Sequence, residues 1–110
     1  MKKTRLGEFQ ELILMTVIVL EEDAYGNEIQ RNLEERLNER LSTGAIQTAL
    51  KRMEEKGFLT SEWGKATQKR GGKRKRIYSA TSYAHQVLRD MKEVRASLWE
   101  AMPQLGTTNV

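Results

Sequence analysis

Cysteine is absent from the sequence, which excludes disulfides and thiolate metal sites and leaves a cytoplasmic location as the expectation. The single histidine, His85, has no thiolate partner, which argues against a zinc site. It is expected to face solvent or to cap the helix it opens. No Ser/His/Asp or Cys/His set, phosphate loop or metal-ligating constellation is present. An enzyme is therefore not expected, and neither is a cofactor. Long apolar runs are missing too. The longest, residues 12–20, is broken at Thr16 and is far short of the ~20 apolar residues of a membrane span. Lys2, Lys3 and Arg5 precede it, but Glu8 and Glu11 interrupt the approach. Glu21, Glu22 and Asp23 follow with no small-residue cleavage site, so the run reads as a buried helix and not as a signal peptide. No membrane partner is expected.

Uniform basicity is also missing, despite a formal net charge of +4 over 110 residues. Residues 65–76, KATQKRGGKRKR, hold seven Lys or Arg and no acid, which leaves 12 bases against 15 acids elsewhere. The chain is a mildly acidic body with one dense cationic segment. Hydrophobic residues at 38% and charged residues at 31% suit a globular domain with a charged surface.

Apolar spacing predicts a first helix over residues 6–20, apolar nearly all round and so enclosed on several sides. Asp23 is placed to cap a second helix, whose single apolar stripe is Tyr25, Ile29, Leu33 and Leu37. Ser42 is the expected N-cap of a third helix over residues 43–56, and Gly57 its stop. Ile46, Ala49, Leu50 and Met53 face inward, while Gly44, Thr48, Lys51 and Glu55 face outward, flanked by Gln47 and Arg52. Residues 58–64 and 76–80 alternate as strands around the basic segment, with a turn expected at Gly71-Gly72. A last helix runs from the N-cap Thr81 to near Pro103, with Ala84, Val87, Met91, Val94, Leu98 and Ala101 in a seven-residue repeat that Leu105 continues beyond the proline, so about three heptads are helical. The five methionines, Met1, Met15, Met53, Met91 and Met102, fall largely on apolar faces and read as core filler.

Three helices followed by a two-stranded hairpin is the order of a winged helix-turn-helix. The fold class expected is mostly α with a small β-hairpin, plus a C-terminal dimerisation helix. Residues 1–80 would form the DNA-binding unit, 81–103 the dimerisation helix and 104–110 a frayed tail. The polar start of the third helix, at Ser42, Thr43, Gly44, Gln47, Thr48, Lys51 and Arg52, can reach base edges, and its N-terminus favours phosphate. Lys65, Lys69, Arg70, Lys73, Arg74, Lys75 and Arg76 can bind neighbouring phosphates or a minor groove. Double-stranded DNA is favoured as the partner; sparse aromatics argue against single strands, while RNA stays open because phosphate contacts do not distinguish the two polymers. The alternative is a winged-helix protein-interaction module whose basic wing meets an acidic protein. The terminal repeat needs a second surface, for which another copy of the chain is the simplest supply. Trp99, one turn beyond Arg95, reads first as a packing residue there and second as a platform for a flat aromatic effector.

The stretches LGEFQELILM, DAYGNEIQ, LSTGAIQTALKRMEEKGFL and WGKATQKRGGKRKRIYSATSYA together resemble the PadR-like family of bacterial transcriptional regulators. The likeness spans residues 6–100. It rests on an ordered set: Tyr25-Gly26, Gly44, Arg52-Met53-Glu54, Gly57, Trp63-Gly64, Gly71-Gly72 and Tyr78. It implies a homodimeric winged-helix repressor of the short branch, with a small aromatic effector acting through the dimer interface. By position it implies operator contacts at Tyr25, Gly26, Thr43, Gly44, Gln47, Thr48 and Lys51, and a wing tip at Gly71 and Gly72. The last helix would pack on the partner's first and last helices, drawing on Leu6, Phe9, Val87, Leu88, Met91, Val94, Arg95, Leu98 and Trp99. Gln47 departs from the family, which usually carries Tyr there, and Gln can read adenine in a bidentate way. Ala80 and Ala84 replace the usual Leu and Gly at the turn into the last helix.

Overall fold

A computed structural model describes residues 6–64 and 75–103. Helix α1 (Glu8–Leu20) passes through one 3-10 turn (Glu21–Asp23) into α2 (Gly26–Leu37), and α3 (Thr43–Glu55) follows. Strands β1 (Leu59–Trp63) and β2 (Arg76–Ala80) pair antiparallel, and α4 (Ser82–Ala101) comes last. The expected order and class are therefore observed. No helix among the described residues is long and apolar enough to cross a membrane.

The core is the meeting point of the three helices and the sheet. Ile13, Leu14 and Val17 of α1, Ile29 and Leu33 of α2, and Ile46, Leu50 and Met53 of α3 are almost fully buried, with Phe58 and Leu59 beneath them. Each such side chain contributes ~1.5–3 kcal/mol relative to an exposed one. Thr16, also buried, donates its hydroxyl to the Leu12 carbonyl at 2.7 Å.

The sheet register sets Leu59 opposite Ala80, Ser61 opposite Tyr78 and Trp63 opposite Arg76. Facing residues project to one side, so these six share a face. A short extended run widens the sheet. The Tyr78 N–H donates to the Ala24 carbonyl at 2.9 Å, and Tyr25 bridges Ile77. That pairing corrects one expectation. Asp23 does not cap α2; it lies in the 3-10 turn, and Tyr25 holds the N-cap position without a side-chain bond. The extended pairing at Ala24 and Tyr25 delays the helix to Gly26.

Local chemistry sets the other junctions as expected. The Ser42 Oγ accepts from the Ala45 N–H at 3.1 Å. Gly57 ends α3 with φ 86, a left-handed conformation that glycine adopts without Cβ strain. The Thr81 hydroxyl accepts from the Ala84 N–H at 3.1 Å and donates to the Gly57 carbonyl at 2.7 Å. Phe58 lies before β1, its ring stacked on Tyr83 at 5.1 Å. The root of α4 is thus tied to the end of α3.

Two expectations of burial fail. Helix α1 is not enclosed all round, because Met15 and Val19 face outward. Leu37 and Met102 are exposed as well, so only Met53 is a fully buried methionine among the described residues. Each outlying side chain sits where the described chain supplies no layer to cover it.

Candidate nucleic-acid interface

Helix α3 presents the polar surface its sequence promised. Ser42, Thr43, Gly44, Gln47, Thr48, Lys51 and Arg52 are exposed, while Ile46, Ala49, Leu50 and Met53 anchor the opposite face. These residues do not all have the same freedom. Ser42 is occupied as the cap, and the Thr43 hydroxyl donates to Gln30 Oε1 at 3.2 Å. Gly44, Gln47, Thr48, Lys51 and Arg52 form the outward remainder. A Cβ at Gly44 would meet only the Ser42 Oγ, at an ordinary 3.6 Å, and the backbone there is not left-handed. Nothing inside the described fold requires glycine at this position in the first turn of α3. Without a side chain there, the α3 backbone is open to close approach.

Side chains of α2 hold α3 in place. Gln30 Nε2 donates to the Leu41 carbonyl at 3.0 Å, and the Leu41 N–H donates to Glu34 Oε2 at 2.8 Å. The Leu41 amide holds the Glu34 carboxyl below its ordinary value; burial opposes this, and Gln30 and the Arg40 charge add smaller lowering effects. Asn38 ends α2 in the left-handed region that asparagine tolerates. Gly26 leaves room for the present position of the Gln47 side chain, since a Cβ there would lie 2.9 Å from Gln47 Nε2. Tyr25 is partly buried between α2 and the hairpin, its hydroxyl 3.1 Å from where a Cβ on Gly64 would lie. Tyr25 and Gly26 thus position the interface as well as bordering it.

At the hairpin base the described cations are Lys75 and Arg76, both exposed. Lys65, Lys69, Arg70, Gly71, Gly72, Lys73 and Arg74 lie outside the described residues. Arg76 stacks its guanidinium over Trp63, 4.6 Å from the ring centroid, and donates to Ser61 Oγ at 2.9 Å. Ser61 in turn donates to Glu54 Oε2 of α3 at 2.8 Å. Burial pushes the neighbouring Tyr78 phenol upward and the Glu54 charge adds to this, while Arg76 opposes it. This chain from wing base to α3 involves three residues, Glu54, Ser61 and Trp63, whose functional position sequence reasoning missed. Only the strand register brings them together.

Helix α4 is two halves in character. Ala84 and Val87 are buried, and Leu88 and Met91 pack partly against the core. Leu6 and Val87, expected at a partner-facing surface, lie in the chain's own core, and Phe9 packs partly against it. Beyond Met91, Val94 is 60% exposed, Leu98 59% and Trp99 70%. Arg95 pairs with Glu11 of α1, which raises its pKa above the ordinary value through the hydrogen bond and the opposite charge. His85 faces solvent as expected. Among the described residues no group of acids and histidine could hold a metal.

The geometry has close relatives. A family model described as the transcriptional regulator PadR-like family matches residues 14–90. No curated protein matches the chain. Among solved structures, the chain is similar to a PadR family transcriptional regulator from Eggerthella lenta, with 25% identity, TM-score 0.66 and coverage of 93% of this chain and 88% of that one. A PadR family transcription regulator from hypervirulent Clostridium difficile is 31% identical, with TM-score 0.64 and coverage of 84% and 93%. RosR of H. salinarum is 26% identical, with TM-score 0.66 and coverage of 89% and 81%.

Proposed function

The chain belongs to the PadR-like family of DNA-binding transcriptional regulators, and from that premise we propose that it is a homodimeric, sequence-specific repressor. Each α3 enters a major groove of a two-fold operator, and the basic hairpin lies on phosphates or in the adjacent minor groove. The half-sites are ~34 Å apart, one helical turn. The observation that carries this reading is the glycine-opened, outward face of α3 beside a hairpin whose base holds an oriented arginine. Gln47, Thr48 and Gly44 read bases, while Lys51, Arg52 and the wing cations bind the backbone. Such a regulator acts in the cytoplasm, where its operator lies.

Titration of duplex DNA across a salt series tests the reading. Each phosphate neutralised contributes a log–log slope of about −0.9. Replacing Arg74 and Arg76 by Ala weakens all sequences and flattens that slope, whereas replacing Gln47 or Thr48 changes which sequence is preferred. Equal affinity for random duplex would refute it. In cells, deletion of the regulator is expected to raise transcription from its target promoter; a fall would point to activation.

Dimerisation through residues 81–103 is supported by the apolar stripe of Val94, Leu98, Trp99 and Met102, which its own chain leaves exposed. Sedimentation should give twice the chain mass, and Leu98→Lys should give the monomer. The same stripe supports an effector reading in which a flat aromatic compound stacks on Trp99 between subunits and relieves repression. Quenching of tryptophan fluorescence by such compounds should vanish in Trp99→Ala; quenching that persists there sinks the effector site.

A further inference from the structure

From Lys92 to Ala101 every residue of α4 is exposed, yet one ion pair interrupts that freedom. Arg95 reaches across to α1, where Nη1 and Nη2 donate to Glu11 Oε2 and Oε1 at 2.5 and 2.7 Å. Glu11 is only 5% exposed. A buried carboxylate is costly unless paired, so the arginine is held as firmly as the acid is satisfied. Apolar packing is non-directional. Two parallel charge-assisted bonds fix direction as well as distance.

We infer that the Glu11–Arg95 pair sets the angle at which α4 leaves the DNA-binding body, and through it the separation of the two α3 helices. This rests on the homodimer reading. Met91 is the last residue of α4 packed against the core, and the helix ends at Ala101. The overhang is a lever of about 15 Å, and a rotation of about 15° at its root moves its end by about 4 Å. That is roughly one base-pair step along a duplex, whose strands rise about 3.4 Å per phosphate. Glu11 and Arg95 are therefore positioning residues for half-site spacing. They act on the operator through α3 without touching it.

The absence of cysteine allows one label per subunit, placed by Glu55→Cys at the exposed end of α3. Pulsed dipolar spectroscopy of the full chain then measures the α3-to-α3 distance. With the pair intact, one narrow distance is expected. Arg95→Met alone strands the buried acid and lowers stability. The combined Glu11→Gln, Arg95→Met variant leaves no stranded charge and is expected to fold and stay dimeric. Its distance distribution should nevertheless broaden by about 4 Å, the displacement of the lever end. A merely structural pair would recover its distance along with its stability. An unchanged distribution in the dimeric double variant overturns the inference, and so does loss of the dimer in that variant. No distance at all with the pair intact refutes the homodimer reading itself, and the inference falls with it.

Discussion

Replacing Gly26 by alanine separates the stability of the fold from its reading of DNA. The new Cβ would lie 2.9 Å from Gln47 Nε2, too close for the present side-chain position. The obstacle is the tip of a flexible side chain on an exposed residue, so Gln47 can swing away. An off-rotamer adjustment costs of order 0.5–1.5 kcal/mol. Opposing it, alanine is favoured over glycine in a helix, by less than the interior value of ~1 kcal/mol at this first helical position. The two nearly cancel, so the urea midpoint of the variant should shift by less than about 1 kcal/mol equivalent in either direction. Its effect on DNA should be larger. A good bidentate contact to a base discriminates by about 1–3 kcal/mol, roughly 5-fold to 150-fold in affinity. Sites selected from a random duplex pool by the parent protein should bind the variant more weakly by a factor in that range. Sites selected by the variant should differ at the base facing Gln47 and agree elsewhere. Unaltered affinity and base preference would refute the argument that Gly26 keeps Gln47 in its reading position. A loss of several kcal/mol in stability would show instead that the glycine makes room for something that cannot move.

Thr81→Val removes both the cap on α4 and the bond to the Gly57 carbonyl, and should lower unfolding stability by about 1–2 kcal/mol in urea titration. Gly57→Ala meets no atom within 4 Å, so its cost is backbone strain alone, about 1–2 kcal/mol by the same measurement. Glu34 has a folded-state pKa below its ordinary value, held there chiefly by the Leu41 amide. Its contribution is complete above the ordinary carboxylate value and is lost as pH falls through the lowered one. Urea midpoints measured down a pH series should therefore fall less steeply on the acid side in Glu34→Gln than in the parent; identical slopes would contradict the assignment.

The elements legible in the sequence are those written in local chemistry. Ser42, Gly57 and Thr81 mark helix ends because a hydroxyl or a missing Cβ acts within three or four residues of itself. The inward face of α3 was legible for the same reason, since helical spacing is a short-range pattern. Asp23 misled because Ala24 and Tyr25 are claimed by Tyr78 and Ile77, far along the chain. The hairpin register was equally hidden. A two-residue turn at Gly71-Gly72 in an unbroken ladder would set Trp63 opposite Ala80, but Trp63 faces Arg76. The stacked Arg76 and its route through Ser61 to Glu54 depend on that register. Glu11 and Arg95, 84 residues apart, carry no local mark that sets them apart from the other charges. The exposed Met15 and Val19 looked like core because an apolar residue in a helix does not announce which layer covers it.

The turn before α3 has a consequence for how such a protein can change over generations. Gln30 and Glu34 grip the main chain at Leu41, and Ser42 grips it at Ala45. The pose of α3 is therefore dictated by groups behind it and not by the residues that project from it. Gln47, Thr48, Lys51 and Arg52 can be exchanged singly without re-aiming the helix that bears them. Under the proposed reading, a duplicated copy could acquire a new operator one base at a time, each intermediate still folded and still presenting its helix at the same slope. Substitutions at Gln30 or Glu34 would have the opposite character, moving every contact together, and few of them would leave a working regulator.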